Sequence, residues 1–82
     1  MTREAIVQRI RDLVEQQTGN AIASPDESLD LDSFVMMLVI SCVHEEMGVQ
    51  LDLEQLDFDS FKSLNVIADL VLRQAAANRG PR

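Results

Sequence analysis

Residues 32–48 read DSFVMMLVISCVHEEMG. This is the stretch whose reading decides the fold. Asp32 and Ser33 both have side chains that can cap a helix, and Gly48 is the residue type that ends one. The spacing predicts a helix over 33–47, capped by Asp32 or Ser33. Nine of the ten residues from Phe34 to Val43 are apolar. At about 100° per residue, Met36, Val39, Ile40, Val43 and Met47 fall within about 80° of one another, enough for a core face. Phe34, Leu38, Ser41 and Glu45 fall on the opposite side, with Met37 on its shoulder. A helix apolar all round is normally covered all round, and a chain of 82 residues can hardly bury the whole of one helix. The second face therefore has three possible fates. It folds against the loop that precedes it, it is covered by another chain, or it is a docking patch.

Working outward, residues 3–17 carry Ile6, Ile10, Leu13 and Val14 at the spacing of one helical stripe. Thr2 can cap this first helix, Glu4 sits favourably in its first turn, and Thr18-Gly19-Asn20 ends it. A long loop follows from Ala21 to Leu31, where Pro25 and its neighbouring acids oppose continuous helix. Ile22, Leu29 and Leu31 can pin that loop to a core. Beyond Gly48 a short helix is expected near 52–58, where Asp52 and Gln55 have the capping-box spacing. A last helix is expected over about 63–77, capped by Ser63, with Val66, Ile67, Leu70, Val71 and Ala75 inward. No strand-period segment competes, since Val49 to Leu53 alternates only briefly. The expected architecture is all-α: a small bundle of three main helices plus one short helix, with a long loop after the first. It forms a single domain over 1–77 with a frayed tail over 78–82.

Composition excludes several functions. Net charge is −7, with ten carboxylates and no Lys or Arg between residues 26 and 59. Nucleic acid calls for a cationic surface and aromatic platforms, and this chain has neither. One Cys rules out an internal disulfide, and one Cys with one His rules out the usual structural zinc site. The acids Asp26, Glu27 and Asp30 lack the register of a calcium loop, so no metal is expected. No apolar run is long enough to span a bilayer and the N-terminus has no apolar signal core, which makes a cytoplasmic, monomeric protein the simplest reading. An acidic domain of this size is steered toward partners with basic faces.

Leu31-Asp32-Ser33-Phe34 lies where the long loop becomes the second helix. By spacing alone Ser33 is simply an N-cap. Its setting says more. A small acidic domain has a first amphipathic helix, a long loop, and then Asp-Ser-apolar opening a helix that ends at Glu45-Glu46-Met47-Gly48. This resembles the acyl carrier protein family and the related peptidyl carriers, over about residues 3–75. The resemblance implies that Ser33 carries 4′-phosphopantetheine, attached from coenzyme A by a separate phosphopantetheinyl transferase, and that Asp32 is the motif acid. It also implies that cargo is held as a thioester on the arm and presented to other enzymes, the chain itself catalysing nothing. The implied partners are an acyl- or aminoacyl-loading ligase or adenylation enzyme, an acyltransferase or a ketosynthase.

The chain departs from the family pattern at informative places. Phe34 stands where Leu is usual, and Leu31 where Gly is often found. Carriers of fatty acid synthesis usually place acids on the second helix near the serine. Here Val35, Met37 and Leu38 occupy that region, with acids only at Glu45 and Glu46. A partly apolar grip is therefore expected, with Phe34, Met37, Leu38, Ser41 and Glu45 as docking residues. That favours a discrete carrier in a specialised polyketide or nonribosomal pathway. The alternatives are a fatty acid synthesis carrier, or a helical interaction module with no prosthetic group. Phe58-Asp59-Ser60-Phe61 echoes the motif, but no matching helix end follows it. Ser60 is read as a cap or turn residue and Phe61 as packing inward. Cys42 reads as a small core filler and His44 as a surface group. They are two residues apart on one helix and cannot form a dyad.

Overall fold

The computed structural model describes residues 2–52, 54 and 56–78. Three helices make up the bundle: α1 (Arg3–Thr18), α2 (Ser33–Met47) and α3 (Leu64–Asn78), with a 3-10 turn at Phe58–Phe61 before α3. No strand occurs among the described residues. The all-α expectation holds. Inside the expected 52–58 the described residue Glu54 is in 3-10 conformation, the turn at Phe58–Phe61 starts at the end of that range, and Gln55 of the expected capping box lies outside the described residues. The capping box that does form joins Asp57 and Ser60. The last helix begins one residue later than expected and includes Asn78, and 79–82 lie outside the described residues.

Each helix starts and stops for a local reason. The Thr2 hydroxyl accepts from the Ala5 N–H at 3.1 Å, and Gly19 closes α1 with φ 74°. The Ser63 hydroxyl accepts from the Val66 N–H at 3.2 Å and so caps α3. Gly48 closes α2 at φ 68°, and the next residue, Val49, donates to the Val43 carbonyl at 3.3 Å. Val49 is itself buried, which anchors the chain as it leaves the helix. A Cβ at Gly48 would meet nothing within 4 Å, so only the left-handed backbone opposes a side chain there. Gly48→Ala is expected to lower unfolding stability by about 1 kcal/mol, and Gly48→Asn by less. Urea titration of the three proteins checks this, and an unchanged midpoint for the alanine variant would refute it.

The core is one cluster. Ile6, Ile10 and Val14 of α1 meet Val39 and Val43 of α2 and Leu64, Ile67 and Val71 of α3. Ile22 from the long loop, Val49 and Leu51 from the second connection, and Phe61 from the 3-10 turn complete it. The inner face of α2 is rotated from the one expected. Val35 and Cys42 are buried with Met36, Val39 and Val43, whereas Ile40 and Met47 are only half-buried at its edge. The rotated face packs on Ile6, Ile10 and Val14 of α1. At its end Arg9 holds Glu46 in an exposed two-pronged ion pair, Nε to Oε1 and Nη2 to Oε2, both at 2.7 Å. Glu46 continues the stripe of Val35, Val39 and Cys42 at helical spacing, so the pair accompanies this packing, and an exposed pair is too weak to impose it.

The long loop is tied down, but not onto the outer face of α2. Its start is clasped to α1. The Ile22 N–H donates to Glu15 Oε2 at 2.6 Å, and Arg11 bonds both Glu15 and the Ile22 carbonyl. Further on it reaches the start of α3, where Asn65 donates from its backbone to the Pro25 carbonyl and from its side chain to Asp26. The Leu29 N–H donates to the Lys62 carbonyl at 2.7 Å. With the loop committed there, Phe34 is left uncovered.

Candidate functional site

The start of α2 divides its work between two adjacent residues. Asp32, in extended backbone at φ −83° and ψ 171°, is the cap: its carboxylate accepts from the Val35 N–H at 2.9 Å. Its carbonyl accepts from the Met36 N–H at 3.0 Å. Ser33 is the first helical residue and is exposed. Its hydroxyl makes no hydrogen bond among the described residues. The sequence left the cap open between Asp32 and Ser33. The local bond to Val35 assigns it to Asp32 and leaves the serine hydroxyl without a partner among the described residues. The echoing serine has the opposite fate. Ser60 is half-buried, donates its hydroxyl to Asp57 at 3.1 Å and accepts from the Asp57 N–H at 3.4 Å.

A groove of about 290 Å³ opens at Ser33. One wall is α2, through Met36, Met37 and Ile40; the other is Leu56, Phe58 and Phe61. Asp57 stands in the second wall as the one ionisable group among the described lining residues. Its apolar edges are open to water, with Met37 52% and Phe58 73% exposed, and Phe34, next to Ser33 in the chain but not lining the groove, is 66% exposed. Of the other residues expected to dock partners, Leu38 is half-buried and Ser41 and Glu45 are exposed. Val35, read as part of the apolar surface beside the serine, is 5% exposed and belongs to the core. Leu56 and Asp57 were not singled out from sequence, and Phe58 was read only as part of the echoing string. The Asp57-to-Ser60 spacing was the available signal, because it places a turn whose apolar neighbours must face either the core or α2.

Glu46 is not available to a partner as an isolated acid, since Arg9 holds both its oxygens. Cys42 lies beneath it and donates Sγ–H to Glu46 Oε2 at 3.5 Å; burial pushes this thiol up from its ordinary value, consistent with an unreactive core residue. Glu46 is held below the usual 4.5, mainly by the hydrogen bond from Arg9, and Glu15 likewise by the Ile22 N–H. A carboxyl whose folded value is depressed contributes stability that is present above its unfolded value and is lost as pH falls through the folded one. Acid unfolding should therefore set in below about pH 4.5 with both groups contributing. Glu46→Gln should flatten the loss of stability between about pH 5 and about pH 2, measured as urea midpoints. An unaltered slope would show that the pair has no linkage to folding. Among the described residues no three His, Cys, Asp or Glu side chains converge as a metal site. No helix among them is long and apolar enough to cross a membrane.

What the site can do follows from these contacts. A hydroxyl that is exposed, unbonded and held on a rigid helix end can be esterified without disturbing the fold. The unpaired N–H groups of the first turn and the positive end of the helix dipole favour a phosphate there. The residues present therefore fit a phosphate-linked group on Ser33. Comparison with known proteins is consistent with this geometry. The model of the family described as phosphopantetheine attachment site matches residues 8–71, more than three quarters of the chain. No curated protein and no solved structure matches it. The chain belongs to the phosphopantetheine attachment site family, the carrier domains that hold 4′-phosphopantetheine covalently.

Proposed function

We propose that Ser33 is the attachment point and that the chain carries acyl, polyketide or aminoacyl groups for a specialised biosynthetic pathway. When bound, the arm supplies a thiol that holds such a group as a thioester. Everything else asked of the chain is presentation. Asp32 holds the helix end so that Ser33 points away from the core, and the first turn offers its N–H groups to the phosphate. The observation that carries the reading is the free Ser33 hydroxyl beside a cap already filled by Asp32.

The pathway is argued from the surface around the serine. Phe34, Met37 and Phe58 are exposed there, while Ser33 to Met36 include no acid. A partner that reads this surface needs an apolar recess, with basic residues around it to meet the carboxylates of residues 26–59. That suits dedicated partners better than the generally electrostatic grip of a fatty acid synthesis carrier. Phe34, Met37, Leu38, Ser41 and Glu45 are the proposed docking residues on α2, with Phe58 joining them from the 3-10 turn. The partners are a phosphopantetheinyl transferase, a loading ligase or adenylation enzyme, and an acyltransferase or ketosynthase, for which the chain is a substrate.

The direct test is incubation with coenzyme A and a permissive transferase, read by intact mass. The expected result is a gain of one phosphopantetheinyl group. An unchanged mass, under conditions that modify a known carrier, refutes the reading and leaves an interaction module without a prosthetic group.

A further inference from the structure

Resting on Ser33 as the attachment point, we propose that Asp57 makes the groove selective for the charge of the cargo. Neutral and amine-bearing acyl groups are held in it, and acyl groups ending in a second carboxylate are kept out.

The groove starts at the attachment residue, so a cargo tethered at Ser33 is never far from it. Six of its described lining side chains are apolar, Met36, Met37, Ile40, Leu56, Phe58 and Phe61. A hydrocarbon chain or aryl ring gains by leaving water for such a lining. A charged end of either sign loses hydration there. The apolar walls alone would thus reject carboxylate and ammonium alike. Asp57 breaks that symmetry, because a carboxylate in the wall repels one and attracts the other.

Two features keep Asp57 from stepping aside. Its Oδ1 accepts from the Ser60 N–H at 3.0 Å and from the Ser60 hydroxyl at 3.1 Å, so moving the side chain uncaps the 3-10 turn. Among the described lining residues no cation offsets it either. Residues 26–59 contain no Lys or Arg, and Lys62, the nearest cation in sequence, is not among those lining the groove. A cargo ending in carboxylate meets a fixed like charge with no counter-charge among those residues. One ending in an amine meets a partner.

The experiment loads Ser33 with three cargoes of equal chain length, ending in methyl, amine or carboxylate, on a hydrolysis-resistant amide-linked arm. Intact mass establishes loading. Methyl NMR shifts of Met36, Met37, Ile40 and Leu56 then report groove occupancy. The methyl-ended cargo is expected to shift all four. The amine-ended cargo should occupy the groove about fivefold more than the carboxylate-ended one, as a partly screened charge pair allows. Asp57→Asn and Asp57→Ser both keep an oxygen that can cap the turn. In both, the difference should largely vanish while the methyl-ended cargo is held as before. Equal occupancy of the two charged cargoes in the wild type would overturn the proposal, as would a difference that survives both substitutions. Loading without any shift of the groove methyls would also overturn it and leave the attachment reading standing. Failure to load would instead remove the attachment reading itself.

Discussion

Ser33→Ala is expected to abolish phosphopantetheinylation completely while leaving the fold intact. Alanine at this position removes the hydroxyl proposed to take the arm from coenzyme A. It removes nothing that holds α2 together, because the cap is the Asp32 carboxylate on the Val35 N–H and not the serine. Stability should stay within about 0.5 kcal/mol of wild type, the range for an exposed residue without structural contacts. Ser60→Ala supplies the contrasting control. It should still gain the full arm mass, yet be less stable by about 1 kcal/mol, since it dismantles the capping box with Asp57. Intact mass and urea midpoints on the two variants read both effects. Arm addition surviving Ser33→Ala would disprove the assignment, and addition lost in Ser60→Ala would transfer it to the echoing motif.

The second large effect is on stability. Ile10→Ala should cost about 3 kcal/mol, the usual range for a large aliphatic side chain truncated in a packed core. Ile10 is fully enclosed on α1 between α2 and α3. Domains of this size are stable by roughly 0.05–0.15 kcal/mol per residue, so the variant should lose a large share of its total and unfold partly at warm temperatures. Phe34→Ala removes a bigger side chain and should cost under about 0.5 kcal/mol, because Phe34 already stands in water. Comparable costs for the two would mean that Phe34 is covered in solution, as in a self-associated form, and would count against its role in docking other enzymes.

Much of the bundle could be read from the chain because its signals are local. Thr2, Gly19, Ser63 and Gly48 act within a few residues of themselves, and the structure finds each where its type predicts. The stripe of α1 was legible for the same reason, and so was most of that of α3: Ile67, Leu70, Val71 and Ala75 are buried as expected, but Val66 is only half-buried, and Leu64 and Ala68 fill core places not expected of them. Ser33 was legible as a helix-start serine in a recognisable setting, and Ser60 as its structural echo.

α2 was the element that resisted. With nine apolar residues in ten, its periodicity has little contrast, and the face expected to be the core side, Met36, Val39, Ile40, Val43 and Met47, is only partly the one that is buried. The choice fell to packing against Ile6, Ile10 and Val14 of α1, which turns Val35 and Cys42 inward and leaves Ile40 at the groove. The exposed Arg9–Glu46 pair, whose members are 37 residues apart, forms over that contact. Phe34 remains in water because the long loop spends its hydrogen bonds on Glu15, Asn65 and the Lys62 carbonyl rather than on the outer face of α2. The groove itself needs a second wall from the 3-10 turn, and only folding brings Asp57 and Phe58 beside Ser33. Caps and helical repeats are short-range properties of the chain. Helix rotation, exposure and cavities depend on contacts between distant residues, so they come into being only when the helices meet.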